Sequence, residues 1–337
     1  MKALRFAIGF ACFLIVISVF ADFLSSNSPG TQNLDQFYHP PTRVHLSGGR
    51  PYLYPTELIE PLDALYAEKT AAEYALQFFF RGYPYRLLGL IPMDRHLIGR
   101  SESPFYYPLG TDDLGRDVLA RVLAGTRTSM LVVIVGLVLY AILGITIGSV
   151  AGLFGGWVDS LLMRFSEFVL ALPALYLLLA MRAAMPTRIA FAPALFLMVG
   201  TIAAVTWPPM ARGIRGLILQ LRSSGYVEAA RSIGGTPVHV LLRHMLPSLI
   251  PFALSQLALA APVFLLGEVI LSFLDVGFRG TGESWGSMLR SLKDTRILTD
   301  FWWNLLPLCM VFLTLLCLNL LSSRPGREVQ DARTMRI

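Results

Sequence analysis

Segment 212–244 reads RGIRGLILQLRSSGYVEAARSIGGTPVHVLLRH and is the most informative interval of the chain. Tyr226–Ile233 consists of good helix formers. Ser223 or Ser224 can cap it, and Gly234-Gly235 followed by Thr236-Pro237 ends it sharply. A second amphipathic stretch, Val238–Met245, leads to Leu246-Pro247 and back into an apolar run. The chemistry available to the first helix is recognition rather than catalysis. Glu228 and Arg231 offer charge, and Ala229 and Ala230 are small enough for another backbone to come close. Held at both ends by apolar helices, it is a lever that a soluble partner could move. The residues taken alone are equally compatible with an ordinary amphipathic hairpin.

Other reactive residue types form weaker patterns. The histidines, His39, His45, His96, His239 and His244, make no HExxH pair, and there is no Gly-x-Ser-x-Gly elbow. A phosphate-cradling Walker A loop needs Gly-Lys-Ser/Thr. Only three lysines exist, and at the nearest candidate, Lys69-Thr70, Glu68 stands in place of the glycine. Asp112, Asp113 and Asp117 suit helix capping and surface ion pairs better than a cation site. Glu167 and Glu268 lie near the ends of apolar runs, where a mid-membrane charge would cost about 2.5–3.5 kcal/mol. Glu167 can pair with Arg164 one turn away, whereas Glu268 could line a pathway.

Apolar helices must position these residues, because 55% of the 337 residues are hydrophobic and only 15% are charged. Six runs are long enough to span a bilayer, near 4–24, 129–155, 161–182, 189–211, 245–270 and 301–322. The first resembles a signal peptide in its Lys2 and Arg5, but Phe20, Phe23 and Leu24 suit an uncleaved anchor better than a small-residue cleavage site. With the N-terminus inside, cytoplasmic segments hold 12 Lys and Arg residues against 6 in the short external loops. Both termini are therefore expected in the cytoplasm. Cys12, Cys309 and Cys317 sit inside apolar runs and suggest neither disulfides nor a metal site. The net charge of +6 is carried by scattered arginines, which argues for membrane anchoring and against nucleic acid.

Between the first two runs lies a more polar region, 25–108, expected to be an external insertion. Arg43–Leu46, Pro51–Tyr54, Ala75–Arg81 and Arg86–Ile91 favour a small β-rich module, and Pro61–Tyr74 looks like one helix. Thr111–Gly125 has a helical apolar stripe, and Thr111 is placed to cap it. It is expected to form an amphipathic helix, spanning 109–128, on the external membrane surface.

Glu228-Ala229-Ala230, Gly234 and then His244-Met245-Leu246-Pro247 resemble the EAA loop of binding-protein-dependent ABC importer permeases, placed here at 212–246. Leu109-Gly110-Thr111-Asp112-Asp113-Leu114-Gly115-Arg116-Asp117-Val118 resembles the segment before the second span in C-type permeases of dipeptide and oligopeptide (peptide/nickel) importers. Gly155-Gly156-Trp157-Val158-Asp159, Leu271-Ser272-Phe273-Leu274 and Ser284-Trp285-Gly286 also match, so the likeness covers about 109–322. Asp275 and Val276 depart from it, standing where the family commonly has Gly and Leu, and the region 25–107 is longer than in short members.

The resemblance implies an all-α polytopic protein of the type I ABC importer permease fold. It would have six transmembrane helices, a transmembrane domain at 129–322, an α+β or β-rich insertion after helix 1, and a cytoplasmic tail at 323–337. Tyr226, Glu228, Ala229, Ala230, Arg231, Gly234, His244, Leu246 and Pro247 would couple to an ATPase. Glu268, Ser272 and Trp285 would belong to the pathway or outer mouth. Gly110, Thr111, Asp112, Gly115, Arg116 and Asp117 would form the family motif before helix 2. Implied partners are a homologous permease subunit in a heterodimer, two cytoplasmic ATPase subunits, an extracytoplasmic substrate-binding protein and membrane lipid, in the bacterial inner membrane. The chain itself would bind no cofactor and catalyse nothing, since ATP and Mg belong to the ATPase. An ion-gradient-driven transporter or channel is the competing reading. It should carry inverted repeats and midplane ionisable residues, and neither is found.

Overall fold

The computed structural model describes residues 2–322 apart from 88, 103–104, 174–175, 177–179, 181–189 and 275–281. The expected third span is thus described only as far as its first half. Asp275, Val276 and the tail lie outside the described residues. Among those residues four helices are long and apolar enough to cross a membrane: Arg5–Leu24, Val118–Phe154, Pro237–Phe273 and Trp302–Ser322. Phe191–Thr206 and Pro208–Leu221, bent by 50°, make a fifth if they form one span. Pro208-Pro209 explains the bend, because neither can donate to the helix ladder.

The helices in chain order are α1 (Lys2–Leu24), α2 (Val118–Phe154), α3 (Gly156–Ala171), α4 (Phe191–Thr206), α5 (Pro208–Leu221) and α6 (Gly225–Ser232). There follow α7 (Pro237–Val240), α8 (Leu246–Phe273), the short α9 (Trp285–Met288) and α10 (Arg296–Asp300), and α11 (Leu306–Ser322). A π-helical turn, Leu241–Met245, joins α7 to α8 without a break.

Contacts divide the chain into two compact units, one of Met1–Ala7, Leu131–Glu268 and Leu315–Ile337, the other of Ile8–Met130 and Val269–Thr314. In the first, α2 packs closely against α5 because its facing residues are glycines. A Cβ on Gly144 would come 2.3 Å from Met210 Cγ, and one on Gly148 would come 2.4 Å from the Ala211 carbonyl oxygen. Small residues four apart allow this close approach of helices where lipid supplies no hydrophobic drive.

In the second unit, Ile17 and Ala21 of α1 pack on Leu123 of α2, and Arg127 reaches Asp22 at 2.8 Å. Short antiparallel strands occupy 45–99. His45–Ser47 pairs with Arg50–Leu53 through Gly48-Gly49, both at positive φ as a two-residue hairpin turn requires. Thr56–Glu60 pairs with Leu65–Glu68, and Arg81–Leu87 with Ile91–Arg95.

Two expectations are corrected. Pro61–Tyr74 is not a helix: Pro61–Ala64 is a turn closed by Ala64 at φ 48°, and Leu65–Glu68 returns as a strand. Local helix propensity yields there to cross-strand pairing. Thr111–Gly125 is not one surface helix capped by Thr111. The helix begins at Val118, is capped by Asp117, and runs on without interruption as the long α2. Residues 110–117 are instead folded into a loop. The Asp112 carboxylate accepts from the backbone N–H of Leu114 and of Arg116, and Gly115 turns back at φ 68°. Smaller shifts are that the expected strand Arg86–Ile91 spans a hairpin turn, and that Ser224 makes no side-chain cap bond.

Candidate functional site

The coupling-type segment lies wholly in the first unit. In α6, Val227 and Ala230 are buried while Tyr226, Glu228, Ala229 and Arg231 are exposed. The 3.6-residue period puts Tyr226, Ala229 and Ile233 along one outward stripe. Ile233 is 88% exposed, the largest value among the apolar side chains of this segment. Val238 and Leu242 are also exposed further along.

The helix ends in a Schellman-type turn. The Gly235 N–H donates to the Ala230 carbonyl at 3.1 Å, with Gly234 at φ 90°. The next helix starts with Thr236 accepting from the His239 N–H and Pro237 in its first turn. His244 and Leu246 are half-buried and Pro247 is exposed.

Two contacts that sequence reasoning missed, an ion pair and a hydrogen bond to a backbone carbonyl, anchor this segment. Arg215 of α5 grips Asp159 of α3 bidentately, at 2.6 and 2.5 Å, and Arg222 donates to the Gly152 carbonyl at 3.3 Å. Asp159 belongs to the Gly155–Asp159 motif already noted. Only the partner was invisible, since 56 residues separate the pair. Glu167 and Arg164 do pair, at 3.1 Å, with both side chains exposed.

The second cluster is the loop before α2. Arg121 donates to Glu283 at 2.7 and 3.0 Å and also contacts Asp112. Arg116 reaches Asp112 at 2.8 Å. Trp303 donates its indole N–H to the Thr111 carbonyl at 2.9 Å, and the Gly110 carbonyl accepts from the Val118 N–H. Gly110, Thr111, Asp112, Gly115, Arg116 and Asp117 are therefore brought together as one folded motif.

Asp117 is buried and accepts from Asn27 Nδ2 at 2.8 Å and from the Ala120 N–H. Burial pushes its carboxyl up to about 6. The residues expected at the pathway or outer mouth are interior. Trp285 is fully buried, with its indole N–H on the Val122 carbonyl at 3.3 Å, and Ser272 and Glu268 are buried too. Among the described residues no three His, Cys, Asp or Glu side chains stand together as metal ligands.

The arrangement offers an exposed stripe of apolar and small residues on a braced short helix, and a loop before α2 tied together by ion pairs. The family described as binding-protein-dependent transport system inner membrane component matches residues 144–324, more than half of the chain. The chain belongs to this family. As such an inner membrane component it is a multi-pass permease subunit of an ABC importer, a transport part whose family works with ATPase and substrate-binding partners.

Among relatives, a Brucella suis biovar 1 protein named provisionally as a peptide permease is 34% identical over 72% of this chain and 77% of its own length. The dipeptide transport system permease protein DppC of Bacillus subtilis is 33% identical over 66% of this chain and 67% of its own. The glutathione transport system permease protein GsiD of Pectobacterium atrosepticum is 31% identical over 74% and 78%. Among solved structures, a chain of the inward-facing MetNI methionine ABC transporter aligns with 62% of this chain and 96% of its own length, at 16% identity and a TM-score of 0.47.

Proposed function

We propose that this permease subunit forms half of a peptide translocation pathway, in a heterodimer with a similar permease, and that α6 is the surface on which one of two ATPase subunits docks. The carrying observation is the exposed stripe of Tyr226, Ala229 and Ile233 on a helix whose other face is buried and whose root is clamped by Arg215–Asp159. An apolar stripe on an otherwise charged segment is what a partner's groove would cover. The peptide class follows the names of the relatives. In this reading the chain has six spans of the type I importer arrangement, both termini are cytoplasmic, and residues 25–108 with the charged loop face outward. The inside-biased arginines support that orientation.

Reconstitution with the ATPase, the companion permease and the binding protein tests it. Labelled di- and oligopeptides should accumulate in proteoliposomes only with ATP inside the compartment that holds the ATPase, and Ile233→Glu should release the ATPase while leaving the two permeases associated. Uptake driven by an imposed ion gradient without ATP, or full ATPase retention by Ile233→Glu, would overturn the assignment.

A further inference from the structure

One cavity in the strand-bearing unit has no part in that reading. It has a volume of about 250 Å³, and its lining includes Asp117, Arg81, Arg100, Phe80, Tyr83 and Tyr107. The charges on this lining are separated by depth. Asp117 is 1% exposed, while the Arg81 side chain is largely in solvent, 3.7 Å from Asp94. Arg100 donates to the Ala75 carbonyl at 3.2 Å and lies 4.8 Å from the centre of the Tyr74 ring.

The donors that Asp117 receives, the Asn27 amide and the backbone N–H groups of Ala120 and Leu119, are all neutral, and among the described residues no Lys or Arg forms an ion pair with it. A carboxylate accepts at about four lone-pair positions, so this one keeps capacity for a cation. A buried carboxylate facing a cavity without a countercharge is costly unless something positive joins it.

The apolar walls are Phe80, 3% exposed, and Tyr107, 5% exposed. A neighbouring recess of about 70 Å³ shares Asn33, Phe105 and Tyr107 with the cavity. Its lining includes His39, which is 2% exposed and whose Nδ1, beside the Pro40 backbone, makes no hydrogen bond of acceptable geometry. Two adjoining spaces therefore hold a buried anion lacking a cation and a buried ring nitrogen lacking a partner.

We propose that this cavity binds a small zwitterion of amino-acid or dipeptide size, with its ammonium group on Asp117, its carboxylate on Arg100 and its side chain against Phe80 and Tyr107. The volume has room for a dipeptide. The choice of a dipeptide as probe rests on the transport reading above. The binding itself does not.

The test uses the full chain in lipid nanodiscs, titrated with L-alanyl-L-phenylalanine and followed by calorimetry and by saturation-transfer NMR. Saturable binding is expected. N-acetylation of the dipeptide and Asp117→Asn should each weaken it about tenfold or more, as loss of a charge-assisted hydrogen bond does. Amidation of the C-terminus and Arg100→Gln should do the same at the other end. Asparagine caps helices as well as aspartate, so Asp117→Asn should fold, which its melting temperature checks. No saturation at about 10 mM dipeptide, or undiminished binding by Asp117→Asn and of the N-acetylated probe, would overturn the proposal. ATP-dependent uptake by the assembled transporter is measured beside it. Uptake with an empty cavity would refute the cavity alone, and a filled cavity without ATP-dependent uptake would refute the transport reading alone.

Discussion

Gly234 gives the sharpest test of the coupling helix. Its φ is 90°, and a Cβ built on it would meet nothing within 4 Å. Any penalty for a side chain there is therefore backbone strain and not collision. An L-residue held in the left-handed region costs about 1–2 kcal/mol, and a β-branched one lies at the upper end. Asparagine visits that region readily and should cost only a fraction of this. If docking of the ATPase requires the turn that puts the Gly235 N–H on Ala230, the strain is charged to the docked state. Gly234→Val should then weaken ATPase binding about 5–30-fold, and Gly234→Asn only slightly. Titration of purified ATPase onto nanodisc-held permease gives the affinities, and substrate-stimulated over basal hydrolysis gives the coupling. Equal impairment of Asn and Val variants would show that the φ of residue 234 is not the cause. Wild-type affinity in the Val variant would remove the lever role from this turn.

Other outcomes follow from named contacts. Arg121→Leu removes one of the two guanidinium groups that Asp112 and Glu283 share and leaves Arg116 beside both, so unfolding in detergent should show a loss of about 1.5–3 kcal/mol, the worth of hydrogen bonds to a charged group. Exchange of the partners, Asp159→Arg with Arg215→Asp, should recover most of the stability that either single change removes if the bidentate clamp matters; a double-mutant cycle with no coupling energy would deny it.

Burial holds the His39 imidazole down to about 4, so its contribution is present near neutrality and lost as pH falls from about 6.5 through 4. Asp117, raised to about 6, has the opposite sign: its contribution is present below about 4 and lost as pH rises through 6. Each amounts to roughly 3 kcal/mol and the two nearly cancel. Melting temperature across pH 4–7 should thus be almost flat in the wild type, rise with pH in Asp117→Asn and fall with pH in His39→Gln; three parallel profiles would contradict the burial argument. An impermeant thiol reagent should label Ser47→Cys but not Ser323→Cys in intact spheroplasts, and the reverse pattern would invert the proposed orientation.

The helix–turn–helix of residues 225–240 was legible because its signals are local. A run of helix formers, a Gly-Gly stop and a Thr-Pro restart need no distant partner, and the helix lies within one residue of its expected limits. The apolar runs near 4–24, 129–155, 245–270 and 301–322 were legible for the same reason. Residues 110–117 misled because Leu114, Val118, Leu119 and Val122 carry a helical period, yet the Asp112 side chain competes for the first N–H groups and Gly115 reverses the chain before a helix can start. Pro61–Tyr74 misled because pairing with Thr56–Glu60 outweighs propensity. Arg121 with Glu283, Arg215 with Asp159, and the burial of Trp285 depend on contacts 56 to 163 residues apart, for which a single sequence has no signal.

The lengths of α1 and α2 bear on the bilayer itself. The apolar part of α1, Arg5–Leu24, has 20 residues, at most about 30 Å at 1.5 Å per residue because Phe20 leaves helical geometry (φ −99°, ψ 17°), so it reaches across the hydrocarbon with nothing to spare. The 37 residues of α2 extend about 55 Å. In a thicker or thinner membrane α2 simply presents another turn to the hydrocarbon or withdraws one, while α1 must tilt or draw the lipid to itself. Asp22 on the short helix and Arg127 on the long one are bonded to each other, so this ion pair is where a change in membrane thickness becomes a mechanical load on the protein.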